Sequence, residues 1–231
     1  VLKIWFKKPL IIDFMDPWMS DPIWKQSHGL FYNKLSQMLE KYIIKKCDRL
    51  IANTSELAYD FIDKYNLSRD KVSVVGCGYD EDTFAIARKE HIRHTKKFTI
   101  THLGSFYKSR NPLNFVKAID YAVKNDMIPA KNLKVNFIGS ISPLLEYKCE
   151  LDLLMNSNNL KPVINVQEWI EHREAIKSLY NSDVLLLLQP DYMLQVPAKL
   201  YEYICAKKYI FAVADKASAV CNLLENENWG I

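Results

Sequence analysis

Val184-Leu185-Leu186-Leu187-Leu188-Gln189-Pro190-Asp191-Tyr192-Met193-Leu194-Gln195-Val196-Pro197-Ala198-Lys199-Leu200-Tyr201-Glu202-Tyr203 runs from an aliphatic stretch, through a loop bounded by prolines, into a polar and aromatic segment. Five aliphatic residues in a row, ended by turn formers, read as a strand buried on both faces, which is the kind that parallel sheets contain. A proline pre-sets the backbone of a helix start, so Pro197 opens a helix with Lys199 in its first turn and Glu202 on nearly the same face. A carboxylate accepts two hydrogen bonds from adjacent hydroxyls and suits a ribose, while an ammonium suits a diphosphate. A glutamate in a first helical turn is equally what the helix dipole favours by itself.

The same strand-then-helix alternation extends outward along almost the whole chain. Strands are expected at Leu10–Asp13, Leu50–Asn53, Val72–Val75, Phe98–Leu103, Leu133–Ile138, Val163–Val166, Val184–Leu188 and Tyr209–Val213. Between them lie helices. Over 34–47 the residues Leu35, Met38, Leu39, Tyr42 and Ile43 recur at helical spacing and predict the buried face, with Lys34, Lys41 and Lys45 on the other. Asn111-Pro112 predicts a capped helix start that buries Phe115, Val116, Ile119 and Val123. Strands alternating with helices make parallel sheets covered by helices, an α/β architecture. The polar stretch Ala85–Lys97 marks a boundary, with one α/β unit closing at about residue 92 and a Rossmann-like sheet following it.

Composition excludes several classes. With 231 residues, 49% apolar, the chain buries real cores and is not disordered; with 25% charged residues and no apolar run near the ~20 needed to span a bilayer, it is expected to be soluble. Cys47, Cys77, Cys149, Cys205 and Cys221 form no C-x-x-C pair and are odd in number, which argues against a disulfide framework or zinc knuckle and for a reducing cytoplasm. His91 and His94 sit three apart without a carboxylate or thiol beside them, so no metal site is expected. Residues 1–50 hold nine Lys/Arg against five acids, which accounts for the whole formal charge of +4. Such a segment is either a solvated face or an attraction for an anionic membrane surface, where Trp5 and Phe6 beside Lys7 and Lys8 would join it. The alternative makes Trp5 and Phe6 core residues of a missing part of the sheet, with the lysines merely solvated. The basic excess is too small, and too little interleaved with aromatics, for nucleic-acid binding.

Ligands of open parallel sheets lie beyond the carboxyl ends of the strands. After Phe98–Leu103 comes Gly104-Ser105-Phe106-Tyr107-Lys108-Ser109-Arg110-Asn111-Pro112, a glycine turn with two cations leading into a helix amino end, all of which favour phosphate. After Val163–Val166 comes Gln167-Glu168-Trp169-Ile170, where Trp169 and Ile170 either flank a planar base or pack in the seam between sheet and helix.

Pro197-Ala198-Lys199-Leu200-Tyr201-Glu202-Tyr203 followed by a strand resembles the nucleotide-sugar signature of the family-4 glycosyltransferases. Further resemblances fall in the same order. They are Val74-Val75-Gly76-Cys77-Gly78-Tyr79-Asp80 with Phe84, Ile100–Gly104 with Arg110, Phe137-Ile138-Gly139, Ser182-Asp183-Val184, and, near the front, Asp13-Phe14-Met15-Asp16-Pro17-Trp18. The resemblance implies a GT-B fold, two Rossmann-like domains with parallel sheets. The first is incomplete, with residues 1–92 its acceptor-side C-terminal part; residues 93–231 form the nucleotide-sugar domain without its last helix. The glutamate that many members carry eight positions before the second is Leu194 here, and their arginine after the glycine is Ser105.

The resemblance places the donor on Gly104, Ser105, Arg110, Trp169, Ile170, Ala198, Lys199 and Glu202, and makes Asp16 and Asp13 the acceptor-side catalytic acids. Asp16 before Pro17 is otherwise a turn starter. It implies a retaining enzyme moving a hexose-type sugar from a nucleoside diphosphate sugar to a glycan or lipid-linked acceptor, without cofactor. No D-x-D sequence stands at a strand end of the second half, which fits metal independence. A nucleotide-sugar 2-epimerase and a non-catalytic nucleotide-sugar-binding module are the alternatives. The expected location is cytoplasmic, with weak adsorption at the cytoplasmic membrane face if the acceptor is lipid-linked.

Overall fold

A computed structural model describes residues 2–21, 29–90 and 96–227. The chain divides into two compact units. The first comprises residues up to Gly78 together with Asp191–Pro197 and Ala214–Asn226; the second comprises Tyr79–Pro190 and Ala198–Val213. The expected junction at 92/93 and the His91/His94 pair lie outside the described residues.

In the first unit, α1 (Leu2–Phe6) precedes β1 (Ile11–Phe14), α2 (Leu30–Lys46), β2 (Arg49–Ala52), α3 (Ser55–Tyr65) and β3 (Val72–Val74). The strands form a parallel sheet in the order β1-β2-β3, with Ile11 opposite Arg49 and Leu50 opposite Val72. Thr54 starts α3 by accepting the Leu57 N–H at 3.1 Å, and Asn66 ends it in the left-handed region, both as the chemistry of these residues favours. Leu50, Ala52, Leu57, Phe61 and Ile44 pack between sheet and helices.

Here the sequence expectation needs correction. α2 buries Ser36, Glu40 and Ile44, not the apolar stripe; Leu35, Met38, Leu39 and Tyr42 are exposed. The cause is Glu40. Its fully buried carboxylate takes the Lys64 ammonium at 2.9 Å, the Met19 N–H at 2.7 Å and the Tyr65 hydroxyl. A buried charge must be paired this completely, and satisfying it fixes which side of α2 turns inward.

The second unit contains α4 (Glu81–Glu90), β4 (Phe98–Leu103), α5 (Leu113–Lys124), β5 (Leu133–Ile138), α6 (Lys148–Met155), β6 (Ile164–Gln167), α7 (His172–Tyr180), β7 (Val184–Gln189), α8 (Ala198–Ala206) and β8 (Tyr209–Ala214). α9 (Ala219–Glu227) closes the described chain. The sheet order is β6-β5-β4-β7-β8, with β4 parallel to both β5 and β7. Connections run one way from β4 to β6 and the other way from β7 to β8, so the direction reverses between β4 and β7. Pro112, expected as the first helical residue, takes the cap position instead, with the Asn111 Oδ1 before it accepting the Leu113 N–H at 2.9 Å; Val116 and Ile119 are buried while Phe115 and Val123 pack partly against the core. Phe84 of α4 meets the Tyr180 ring of α7, which ties α4 to this unit.

Candidate functional site

The ladder between β4 and β7 covers only Ile100 with Val184 and Thr101 with Leu185. Beyond it the two strands lack each other as partners, and buried backbone groups must find others. Three side chains supply them. His102 donates from Nδ1 to the Leu186 carbonyl at 2.8 Å, Tyr203 of α8 accepts the Leu103 N–H at 2.9 Å, and Lys199 donates to the Leu103 carbonyl at 2.7 Å. Tyr203 and Lys199 stand four apart on one face of α8, so both backbone groups of the last β4 residue are held by one helix.

That arrangement brings Lys199 under the loop after β4. Gly104 has φ +110°, and a Cβ there would lie 2.7 Å from the Lys199 Nζ; a Cβ on Gly139 would lie 2.6 Å from the backbone of Gly104. Only glycine allows this approach of two strand ends and an ammonium. The loops after β4 and β5 are knitted together by Phe106 N–H to Ser140 O at 2.9 Å and by the hydroxyls of Ser105 and Ser140 at 2.8 Å.

Because the Nδ1 of His102 faces a carbonyl it carries the proton, and Nε2 is left as an acceptor 3.5 Å from the Lys199 Nζ. Burial, then the neighbouring Lys199 charge, hold His102 well below the ordinary histidine range, so it is neutral. Its ring stacks on Phe106 at 4.4 Å. Burial, then Arg110, bring the Lys199 ammonium down to about 7. Arg110 donates to the Tyr107 hydroxyl at 2.7 Å, with its guanidinium 5.1 Å from that ring. Glu202 meets His172 Nε2 at 3.2 Å.

Of the residues expected to hold a donor, Gly104, Ser105, Arg110 and Lys199 converge at the strand reversal, and Glu202 lies one turn along from Lys199. Ala198 is exposed at the helix start. Trp169 is 69% exposed, which removes the reading that packs it in the sheet–helix seam; Ile170 is half-buried beside it. A cleft of about 460 Å³ opens at the ends of β5 and β6, lined by Gly139, Ser140, Ile141, Val166 and Glu168 among others. Asp13 and Asp16 are exposed in the first unit, where the Gln195 amide donates to Asp16. The Cys77 thiol there is pushed up by burial, then by the Asp16 and Asp13 carboxylates.

Two groups escaped the sequence reading. His102, the last but one residue of β4, lies within the Ile100–Gly104 stretch but was not itself singled out. Gln189, at the carboxyl end of β7, is fully buried with neither amide atom hydrogen-bonded among the described residues.

Searches of solved structures return proteins of the same architecture at low identity. HepE of Anabaena, in complex with UDP-glucose, aligns with TM-score 0.66 and 15% identity over 96% of this chain and 57% of its own. The trehalose-phosphate synthase of Burkholderia vietnamiensis aligns with TM-score 0.69 and 11% identity, covering 96% of this chain and 56% of that one. The fold is that of the GT-B glycosyltransferases. The sequence profile described as Glycosyltransferase Family 4 matches residues 5–83, within and just past the first unit. A curated relative, the Escherichia coli UDP-Gal:alpha-D-GlcNAc-diphosphoundecaprenol alpha-1,3-galactosyltransferase, is 29% identical over 156 residues, 64% of this chain and 38% of the enzyme. The chain thus spans well under half of that relative and a little over half of the structural neighbours named.

Proposed function

We propose that this chain carries the donor-binding half, and part of the acceptor half, of a glycosyltransferase that moves a sugar from a uridine diphosphate sugar to a glycan or lipid-linked acceptor. The observation that carries the reading is Lys199, held beneath Gly104 at the reversal of a parallel sheet with Arg110 beside it. A departing diphosphate gains negative charge as the glycosidic bond breaks, and cations fixed before the reaction stabilise that charge without reorganising. Lys199 and Arg110 fill the role that a divalent ion plays elsewhere, so transfer is read as metal-independent. Glu202 takes the ribose hydroxyls, and the base lies at the ends of β5 and β6 with Trp169 and Ile170 at its margin. Asp16 and Asp13 serve the acceptor. Retention of anomeric configuration follows from the resemblance to family 4.

The UDP-glucose bound to HepE and the UDP-Gal named for the Escherichia coli enzyme support a uridine nucleotide here. Calorimetric titration of the chain with UDP and UDP-sugars, with and without EDTA, tests the reading. Binding that survives EDTA and is lost in Lys199→Met is expected. Binding that requires Mg²⁺, or that ignores Lys199→Met, would overturn it.

A further inference from the structure

Glu202 follows Lys199 by three residues in α8, the spacing at which an acid and a lysine on one helix face ordinarily pair. Among the described residues these two do not. The Lys199 ammonium goes to the Leu103 carbonyl at 2.7 Å, and the Glu202 Oε1 meets His172 Nε2 at 3.2 Å instead. An ionised carboxylate only accepts, so Nε2 carries the proton and donates it. His172 is the first residue of α7, where the Glu171 side chain before it makes no cap and a positive charge would work against the helix dipole. A histidine in that place does nothing for its own helix. The second acid near the ring, Asp80, is committed elsewhere: it accepts the Thr83 hydroxyl at 2.6 Å and the Asp82 N–H at 3.1 Å. Thr83, then Asp82 and the His172 charge, hold the Asp80 carboxyl below the ordinary range.

We propose that His172 is a positioning residue for the donor: it holds the Glu202 carboxylate off Lys199 and ready for the ribose, so that the site selects ribonucleotides over 2′-deoxyribonucleotides. The inference rests on the proposed role of Glu202 as the ribose contact and names what orients it. A carboxylate offers about four lone-pair positions, so one ring N–H leaves room for two hydroxyls. Without the ring, the Glu202 side chain would rotate among its rotamers and be drawn onto the ammonium that a diphosphate needs. A tether at Oε1 removes both losses before the nucleotide arrives. The place in the chain agrees, since His172 comes two residues after Ile170. A base set at Trp169 and Ile170 brings its attached sugar to this pair.

Calorimetric titration of the whole chain with UDP and with 2′-deoxy-UDP, beside thermal melting, tests it in the parent, His172→Leu, His172→Gln and Glu202→Ala. The parent should favour UDP by about tenfold or more, as a hydrogen bond to a charged acceptor requires, and Glu202→Ala should abolish the preference. His172→Leu should lower the preference about threefold or more, in the range of an exposed charged contact. His172→Gln sets an amide N–H where the ring N–H stood and should restore it, a rescue that loss of packing does not produce. Both His172 variants should melt as the parent does, since the ring is 59% exposed. A preference in His172→Leu equal to the parent's, where Glu202→Ala has lost it, would overturn the inference and leave the donor site standing. So would an equal fall in His172→Leu and His172→Gln. No preference in the parent, or one that survives Glu202→Ala, would overturn the ribose role of Glu202 itself and this inference with it.

Discussion

Under the proposed function Lys199 answers to two opposing demands: the protein buries it beside Arg110, and a diphosphate would need its proton. With the group at about 7 in the free protein, a growing share is neutral amine as pH rises past that value. A bound diphosphate favours the ammonium, so binding takes up a proton and weakens with rising pH. A nucleotide sugar has no phosphate that titrates in this range, so the slope belongs to the protein. Affinity for UDP-glucose should hold between pH 5.5 and 6.5 and fall above 7, approaching about tenfold per unit; a flat profile to pH 9 would show that Lys199 is not the contact. His102 is a positioning residue in this scheme. Its Nε2 is an acceptor for the ammonium, so His102→Phe should shift the fall to lower pH while the protein remains folded, an effect that lost packing alone does not produce. Glu202→Ala should weaken UDP binding by ~1.5–3 kcal/mol through loss of a charged hydrogen-bond acceptor. Affinity unchanged in titration would leave Glu202 as the partner of His172 and nothing more.

At the scale of elements, the strands were legible because a strand buried on both faces needs nothing beyond a short aliphatic run between turn formers. β4 and β5 match expectation residue for residue, and the remaining strands lie within one residue at either end. Helical faces were legible only where apolar periodicity decides burial, as in α5. In α2 a single glutamate outweighs the stripe, because the partners that make its burial tolerable, Lys64, Tyr65 and the Met19 amide, are far away in sequence. The candidate donor residues could be nominated for a related reason: glycine, lysine and glutamate at loop and helix-start positions carry local chemistry. His102 could not, since its role arises from strands that part after two residue pairs, a feature of the sheet and not of the segment. Glu40→Ala therefore has a definite cost. Removing one member of a buried charged network strands the others, and about 3–5 kcal/mol of stability should be lost in denaturant unfolding. A loss below ~1 kcal/mol would mean that water reaches Lys64 and that Glu40 does not set the face of α2.

For the molecule as a whole, the proposed separation of roles between two compact units has a thermal signature. Ile44, Leu50, Leu57 and Phe61 pack within the first unit, and Phe106, Val116, Phe137, Leu151 and Leu186 within the second. Every residue assigned to the donor belongs to the second, and the Glu40 network belongs to the first. A ligand stabilises only the part whose folding creates its site, by about 2.7 kcal/mol at one hundred times its dissociation constant. Scanning calorimetry of the whole chain should then resolve two transitions, as units with their own cores allow. Saturating UDP should raise one by several degrees and leave the other in place, and Glu40→Ala should lower that other one. If the two perturbations act on different transitions, donor binding and the Glu40 network belong to separately folding units. A single transition that UDP raises and Glu40→Ala lowers would show instead that the units unfold together, and that the segments Asp191–Pro197 and Ala214–Asn226, which leave the second unit's sequence to pack in the first, bind their stabilities into one.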